Sequence, residues 1–276
     1  EWTVQVSTFG AYQNTKENGD FNAYKGYNGG IHTKLSKNFN DSWDLAFHFI
    51  FNSNNFDFEN NSNSKSKGGY FGITSKYDFD SVYLLGSLRL GYEYTNLERA
   101  LNIGAYSQNF SSSFHSLTTS ALAGLGKDFT LTPKLSISPL VYGEINSLHM
   151  PDITESNEGA ALEIKSDNHY FLGSFAGLKL AYNNDIASLY RLKLTLLGGY
   201  YHLFTDNLKV NAKFKNDSNH TPFYAQNTLD KKDSLQLRGD IGLFYKNGFF
   251  TNLALQSNTQ KHHTDFFASL EAGIRF

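Results

Sequence analysis

Apolar and polar residues alternate with a period of two along most of the chain, in segments of about ten residues. The last segment is the clearest. Phe266, Ala268, Leu270, Ala272, Ile274 and Phe276 form one face, while Phe267, Ser269, Glu271, Gly273 and Arg275 form the other. Successive side chains of a β-strand point to opposite faces, so one face here is apolar and the other carries full charges. The split recurs. Leu84, Gly86, Leu88, Leu90, Tyr92 and Tyr94 alternate with Leu85, Ser87, Arg89, Gly91 and Glu93. Tyr190, Leu192, Leu194 and Leu196 alternate with Arg191, Lys193 and Thr195, and Leu235, Leu237, Ile241 and Leu243 with Gln236, Arg238 and Asp240. Trp43, Leu45, Phe47, Phe49 and Phe51 alternate with Asp44, Ala46, His48 and Asn52, and Leu135, Ile137 and Val141 with Ser136, Ser138, Tyr142 and Glu144.

The pattern predicts twelve strands, at 1–14, 23–38, 41–56, 67–79, 81–96, 113–128, 132–147, 162–182, 188–205, 232–246, 249–260 and 264–276. The segment 162–182 fits least well, because Phe171, Phe175 and Leu178 do not share one parity. The connections alternate long and short. Gln13–Asn22, Asp57–Lys67, Asn96–Ser112, Asn146–Lys165 and Thr205–Lys231 are long and polar. Asn38–Asp41, Asp78–Asp80, Asp128–Pro133, Asn183–Asp185 and Asn247-Gly248 are tight turns, the last read as a type I′ hairpin. Long loops at one rim and short turns at the other are the habit of bacterial outer-membrane barrels. The expected fold is therefore all-β: a 12-stranded antiparallel transmembrane β-barrel of the bacterial outer membrane, a single domain over 1–276. An even strand number places both termini on the short-turn, periplasmic side and the long loops outside the cell. The competing architecture, a soluble β-sandwich, would hide the apolar face in a core. Aromatics near strand ends (Tyr77, Phe79, Tyr94, Phe129, Tyr182, Tyr190, Tyr245, Phe249, Phe276) instead fit girdles at two membrane interfaces.

Composition agrees. The 276 residues include 24 Phe, 17 Tyr and 23 Gly against 4 Pro, a strand-rich profile. No stretch approaches the roughly 20 apolar residues of a membrane helix, and the run from Leu45 to Phe51 is broken by His48. Low mean hydropathy does not argue against a barrel, whose lumen-facing residues are polar. The absence of cysteine excludes disulfides and thiolate metal sites, and a net charge of −2 gives no reason to expect nucleic acid as a partner. Glu1-Trp2-Thr3 is already strand-like, so any signal peptide has been removed or the chain is the end of a longer protein.

By parity Arg89, Glu93, Glu144, Lys179, Arg191, Lys193, Arg238, Asp240, Glu271 and Arg275 face the lumen. They either hold a hydrated segment or pair across strands, since unpaired buried charge costs several kcal/mol. Nine histidines (among them His48, His115, His169, His202, His220, His262 and His263) lack helix spacing and cysteine company, so no metal and no cofactor is expected. An outer-membrane phospholipase would need a serine beside a histidine on the outer face, and His115-Ser116-Leu117-Thr118 is the closest match. A small-solute channel is the remaining alternative, with Tyr142, Phe171, Phe175 and Tyr201 as lining residues.

Several motifs, in order, resemble a known family: Thr8-Phe9-Gly10-Ala11-Tyr12; Tyr24-Lys25-Gly26-Tyr27-Asn28-Gly29-Gly30; Asp41-Ser42-Trp43-Asp44-Leu45; Gly69-Tyr70-Phe71-Gly72; Leu131-Thr132-Pro133 with Leu135; and Glu158-Gly159-Ala160-Ala161-Leu162-Glu163-Ile164. The chain resembles the C-terminal translocator domain of monomeric type Va autotransporters over nearly its whole length. The resemblance implies a non-enzymatic barrel of type V secretion, threaded by a linker helix that joins it to an N-terminal passenger upstream of Glu1. It also implies insertion by the outer-membrane barrel-assembly machinery. That machinery would read the last strand through Phe266, Ala268, Leu270, Ala272, Ile274 and Phe276. The surroundings would be lipid bilayer and lipopolysaccharide, and the barrel a monomer.

Overall fold

The computed structural model describes residues 1–17, 23–40, 42–187, 190–205, 207–217, 221–228 and 232–276. In chain order the strands are β1 (Trp2–Thr15), β2 (Tyr24–Phe39), β3 (Trp43–Phe58), β4 (Asn63–Phe79), β5 (Val82–Ile103), β6 (Tyr106–Lys127), β7 (Phe129–Thr132), β8 (Leu135–Met150), β9 (Ile153–Thr154), β10 (Leu162–Ile164), β11 (Asp167–Ala187), β12 (Tyr190–Leu203), β13 (Asn207–Phe214), β14 (Phe223–Thr228), β15 (Asp233–Tyr245), β16 (Phe249–Thr259) and β17 (His263–Arg275). Among the described residues there is no helix.

Twelve strands form one closed antiparallel barrel, in the order β11-β12-β15-β16-β17-β1-β2-β3-β4-β5-β6-β8, and the β8–β11 pairing completes the ring. Closure matters because a barrel wall in lipid has no water to satisfy an open edge. The seam is paired along its length, from Thr3 opposite Arg275 to Thr15 opposite His263. It finishes with reciprocal backbone bonds between Trp2 and Phe276, at 2.9 and 3.0 Å. The short strand β7 is a pinched continuation of β6 that pairs with β8 beside the turn at Pro133.

Burial follows the alternation inside out. Outward Phe266, Leu270, Ile274 and Phe276 are 54%, 60%, 47% and 70% exposed. Inward Ser7, Ser116, Ser138 and Ala254 are buried. Aromatics that turn inward, among them Tyr83, Phe110, Phe175 and Phe250, are buried. This explains the broken parity of 162–182. Phe171 and Phe175 face the lumen and Leu178 faces out. Phe175 lies flat against the wall because Gly177 and Gly199 leave it room; a Cβ at either would collide with its ring.

At the short-turn rim, Trp43, Tyr77, Phe79, Phe129, Tyr190, Tyr245 and Phe249 are outward and exposed or half-exposed. Phe39 stacks on Trp43 at 5.0 Å, and Tyr77 meets Phe79 edge to face at 4.5 Å.

Five features differ from the sequence reading. Asp57–Lys67 is mostly strand: β3 and β4 stay paired as far as Asp57 opposite Asn63, which leaves a short turn at 59–62. Asn96–Ser112 is not a loop: β5 and β6 stay paired as far as Ile103 and Tyr106, and turn at Gly104 with φ 58°. A strand that rises above the hydrocarbon has polar residues on both faces, so polarity there imitates a loop. Asn183, Asn184 and Asp185 do not turn; they pair with Lys193, Leu192 and Arg191, and the connection follows Ala187. The eighth barrel strand starts at Asp167, because Leu162–Ile164 joins a separate sheet. The Asn247-Gly248 hairpin is not type I′. Only Gly248 has positive φ, at 87°, and its N–H bonds Tyr245 O at 3.1 Å, which makes a three-residue loop. Asp41, His220 and parts of the first and last long loops lie outside the described residues.

The separate sheet is built by two long connections. Strands β9 and β10 come from the loop after β8, and β13 and β14 from the loop after β12; their order is β14-β13-β10-β9. Strand β10 meets β13 with Leu162 opposite Phe214 and Ile164 opposite Ala212.

Candidate functional site

The register puts all ten charged residues of the sequence reading on the inner wall, where they divide into local groups. Arg238 lies along Asp240, two residues on in β15, with contacts of 2.8 and 3.1 Å. Glu271 on β17 is the register partner of Ser7, and Lys34 on β2 pairs with Gln5 one step along the same face of β1. Glu93 accepts bonds from the Tyr70 hydroxyl and from Asn54 Nδ2 at 3.2 Å, and the Arg89 guanidinium lies 5.8 Å from the Tyr70 ring. Across the lumen wall, Glu144 accepts from the Tyr201 hydroxyl at 2.8 Å, next to the stacked pair Tyr142–Phe175 at 4.8 Å. Lys179 stands 3.8 Å from Asp128 and 5.2 Å from the Tyr83 ring.

Nearer the short-turn rim basic side chains outnumber acidic ones around one cavity. Arg191 binds Asp185 at 2.8 Å, and the Arg275 guanidinium sits 4.9 Å from the Phe244 ring and 5.8 Å from Phe250. Arg191, Asp185, Arg275 and Phe244, with Lys193 and Lys246, line a cavity of about 620 Å³. The predicted set is thus not one cluster. It is a lining in which carboxylates in the wall find donors and several cations are left to the mouth.

Sequence reasoning missed part of the lining. His32 Nε2 lies 2.9 Å from His48 Nδ1, Ser7 Oγ 3.3 Å from His32 Nδ1, and Thr74 Oγ1 2.8 Å from His48 Nε2. This chain of contacts crosses β1, β2, β3 and β4. Lys34 and Lys76 are also inward. Parity within 23–38 would have marked His32 and Lys34, since they share a face with Gly26 and Asn28. Among the described residues no group of three or more His, Asp or Glu side chains is arranged to hold a metal ion. His115 and Ser116 cannot act together: His115 stacks outside on Tyr92 at 5.1 Å, while Ser116 is buried inside.

The long-loop mouth is covered differently. Arg99, inward on β5, makes a bidentate pair with Glu155 at 2.7 and 2.6 Å and donates to Ala160 O at 2.9 Å. Glu155 also accepts the Leu162 N–H at 2.8 Å, and Arg99 lies 4.4 Å from the Phe110 ring. Phe110, Ile153, Glu155 and Ala161 are all buried. Because Arg99 and Phe110 face inward, the loop they hold lies on the lumen side of the β5–β6 hairpin.

A closed antiparallel barrel, apolar outside and polar inside, defines an outer-membrane β-barrel protein. The Autotransporter beta-domain family model matches residues 4–256, and the chain belongs to that family. No curated protein matches the sequence. The translocator domain of the autotransporter NalP from Neisseria meningitidis superposes with a TM-score of 0.79 at 14% identity, covering 100% of this chain and 88% of that one. The beta domain of the Bordetella autotransporter BrkA gives 0.73 at 13%, covering 100% and 99%. The transport unit of AIDA-I from Escherichia coli gives 0.62 at 11%, covering 99% and 90%. The protein is an outer-membrane translocator barrel for passenger secretion.

Proposed function

We propose that the barrel stands with its short-turn rim and both termini in the periplasm and its long loops at the cell surface. A segment N-terminal to β1 enters the lumen from the periplasmic rim, forms the linker helix, and connects to a passenger displayed outside. The barrel itself is a monomer and catalyses nothing. The observation that carries this reading is the meeting of Trp2 and Phe276 at the short-turn rim, beside a lumen lined by charged and aromatic groups. A chain leading into β1 therefore begins at the mouth of a polar channel.

The outward stripe Phe266, Ala268, Leu270, Ala272, Ile274 and Phe276 serves two ends in this reading. It contacts lipid, and it presents the last strand to the barrel-assembly machinery. Arg89, Glu93, Glu144, Lys179, Arg191, Lys193, Arg238, Asp240, Glu271 and Arg275 keep the lumen hydrated around the linker. The test is to fuse a reporter passenger through a linker to Glu1 and follow surface exposure by protease accessibility on intact cells. Phe276→Asp is expected to lower display several-fold together with the amount of folded barrel. Unchanged insertion in that variant would remove the assembly role from the last strand. Folded barrel with no exposed reporter would remove the translocator orientation.

A further inference from the structure

The outward stripe of β3 is apolar, and those of β2 beyond Lys37 and of β4 are largely so, until all three turn polar toward the opposite rim. On β4 the stripe reads Phe79, Tyr77, Ser75, Ile73, Phe71 and Gly69, and then Lys67 and Lys65. On β3 it ends at Phe51 and continues as Ser53 and Asn55; on β2 it ends at Tyr27 and continues as Lys25. The register sets Lys67 opposite Ser53, Lys65 opposite Asn55, and Asn55 opposite Tyr27. Lys25 is thus two strands from Lys65 and one outward step beyond Tyr27, roughly 10 Å across the sheet. We propose that Lys25, Lys65 and Lys67 form a binding site for the phosphate groups of an anionic glycolipid in the surrounding leaflet.

Three observations carry the assignment. The first is position. The lysines are exposed and stand where the hydrocarbon-facing residues end, which is the level of lipid phosphates. The second is availability. Asp57 is the register partner of Lys25 and Glu98 stands diagonal to Lys65, so three lysines outnumber two carboxylates in the patch; Asp57 accepts from Asn55 at 3.3 Å and Glu98 from Asn63 at 2.7 Å, and none of the three ammoniums makes an ion pair among the described residues. The third is contrast with the opposite rim. There the outward Lys37 lies 5.0 and 4.7 Å from the Trp2 and Phe39 rings, and Lys127 lies 5.1 Å from Phe129. Those cations are already placed over aromatic faces. A spread of three flexible ammoniums suits a headgroup with more than one phosphate better than a phospholipid with one. The inference rests on the orientation proposed above, in which the long-loop rim meets the outer leaflet.

The test titrates the folded chain in detergent with bisphosphorylated lipid A, monophosphorylated lipid A and phosphatidylglycerol, and counts bound lipid by native mass spectrometry. Wild type is expected to prefer the bisphosphorylated form. The triple variant K25Q/K65Q/K67Q is expected to lose roughly 10-fold or more in affinity. Lys→Arg at the three positions should retain binding, and K37Q/K127Q should leave it unchanged. Equal lipid A binding by the triple variant overturns the site, and equal wild-type affinity for phosphatidylglycerol overturns the glycolipid. Should the triple variant fail to fold by heat modifiability, K65Q and K67Q are read singly, each expected to weaken binding about 2- to 4-fold. A wrong orientation is distinguished separately. The chain has no cysteine, so Glu158→Cys on intact cells would escape a membrane-impermeant maleimide only if the long loops were not outside.

Discussion

A close arginine–carboxylate pair stands at either mouth of the barrel, and the two have little in common beyond their distance. Arg99 meets Glu155 at 2.6 Å and Arg191 meets Asp185 at 2.8 Å. At the long-loop mouth the side chains are 25% and 2% exposed; at the short-turn mouth they are 61% and 69% exposed. Arg99 is held on both sides, by Ala160 O and by the Phe110 ring, and its carboxylate partner is held by the Leu162 N–H. Arg191 and Asp185 face water between adjacent strands already joined by their ladder. The first pair ties the β9–β10 loop to the barrel wall from inside the lumen, alongside the backbone bond from Ser156 N to Ser111 O at 2.7 Å. The second decorates a wall that would be the same without it. Distance alone does not measure what an ion pair contributes: desolvation and the number of groups that depend on the pair decide it.

The comparison can be broken in three ways. The largest effect is expected at the long-loop mouth. Arg99→Ala leaves the Glu155 carboxylate buried without its charge partner, a loss of about 3–5 kcal/mol. The loss is local, so trypsin cleavage after Lys165 should accelerate ~100-fold or more while the barrel still migrates as folded. An unchanged cleavage rate would mean that β10–β13 pairing alone holds the loop. An intermediate effect is expected at the short-turn mouth, but from backbone rather than charge. Gly248→Val forces a branched residue to φ 87° and pushes its Cβ into the Arg275 carbonyl. A cost of about 1–3 kcal/mol should appear as a lower urea midpoint of refolding into liposomes. The smallest effect is expected from Arg191→Ala, whose unfolding midpoint should match wild type within error because both charges remain hydrated. A clear drop there would show that the short-turn mouth also relies on its ion pair.

Much of the wall was legible before any coordinates. The last strand declared itself through Phe266, Leu270 and Ile274 against Ser269, Glu271 and Arg275. Two-residue periodicity is a property of the backbone and needs no partner to be seen. Phe175 was harder. It breaks the parity rule because a lumen large enough to hold a ring accepts an aromatic on its polar face when glycines on the same and the next strand make room. The hairpin tip at Gly104 was hidden for the opposite reason. Above the hydrocarbon, strand and loop have the same composition.

The sequence by itself determined the strand number and the face that meets lipid. Each follows from local alternation and turn chemistry. Only the tertiary structure decided what lies at the two ends. It joined Leu162–Ile164 to Asn207–Phe214, brought Glu155 under Arg99 across 56 residues, linked His32 to His48, and gathered Lys25, Lys65 and Lys67 on one outward face. These meetings depend on the closure and stagger of the ring, which bring distant segments together. No spacing along the chain encodes them.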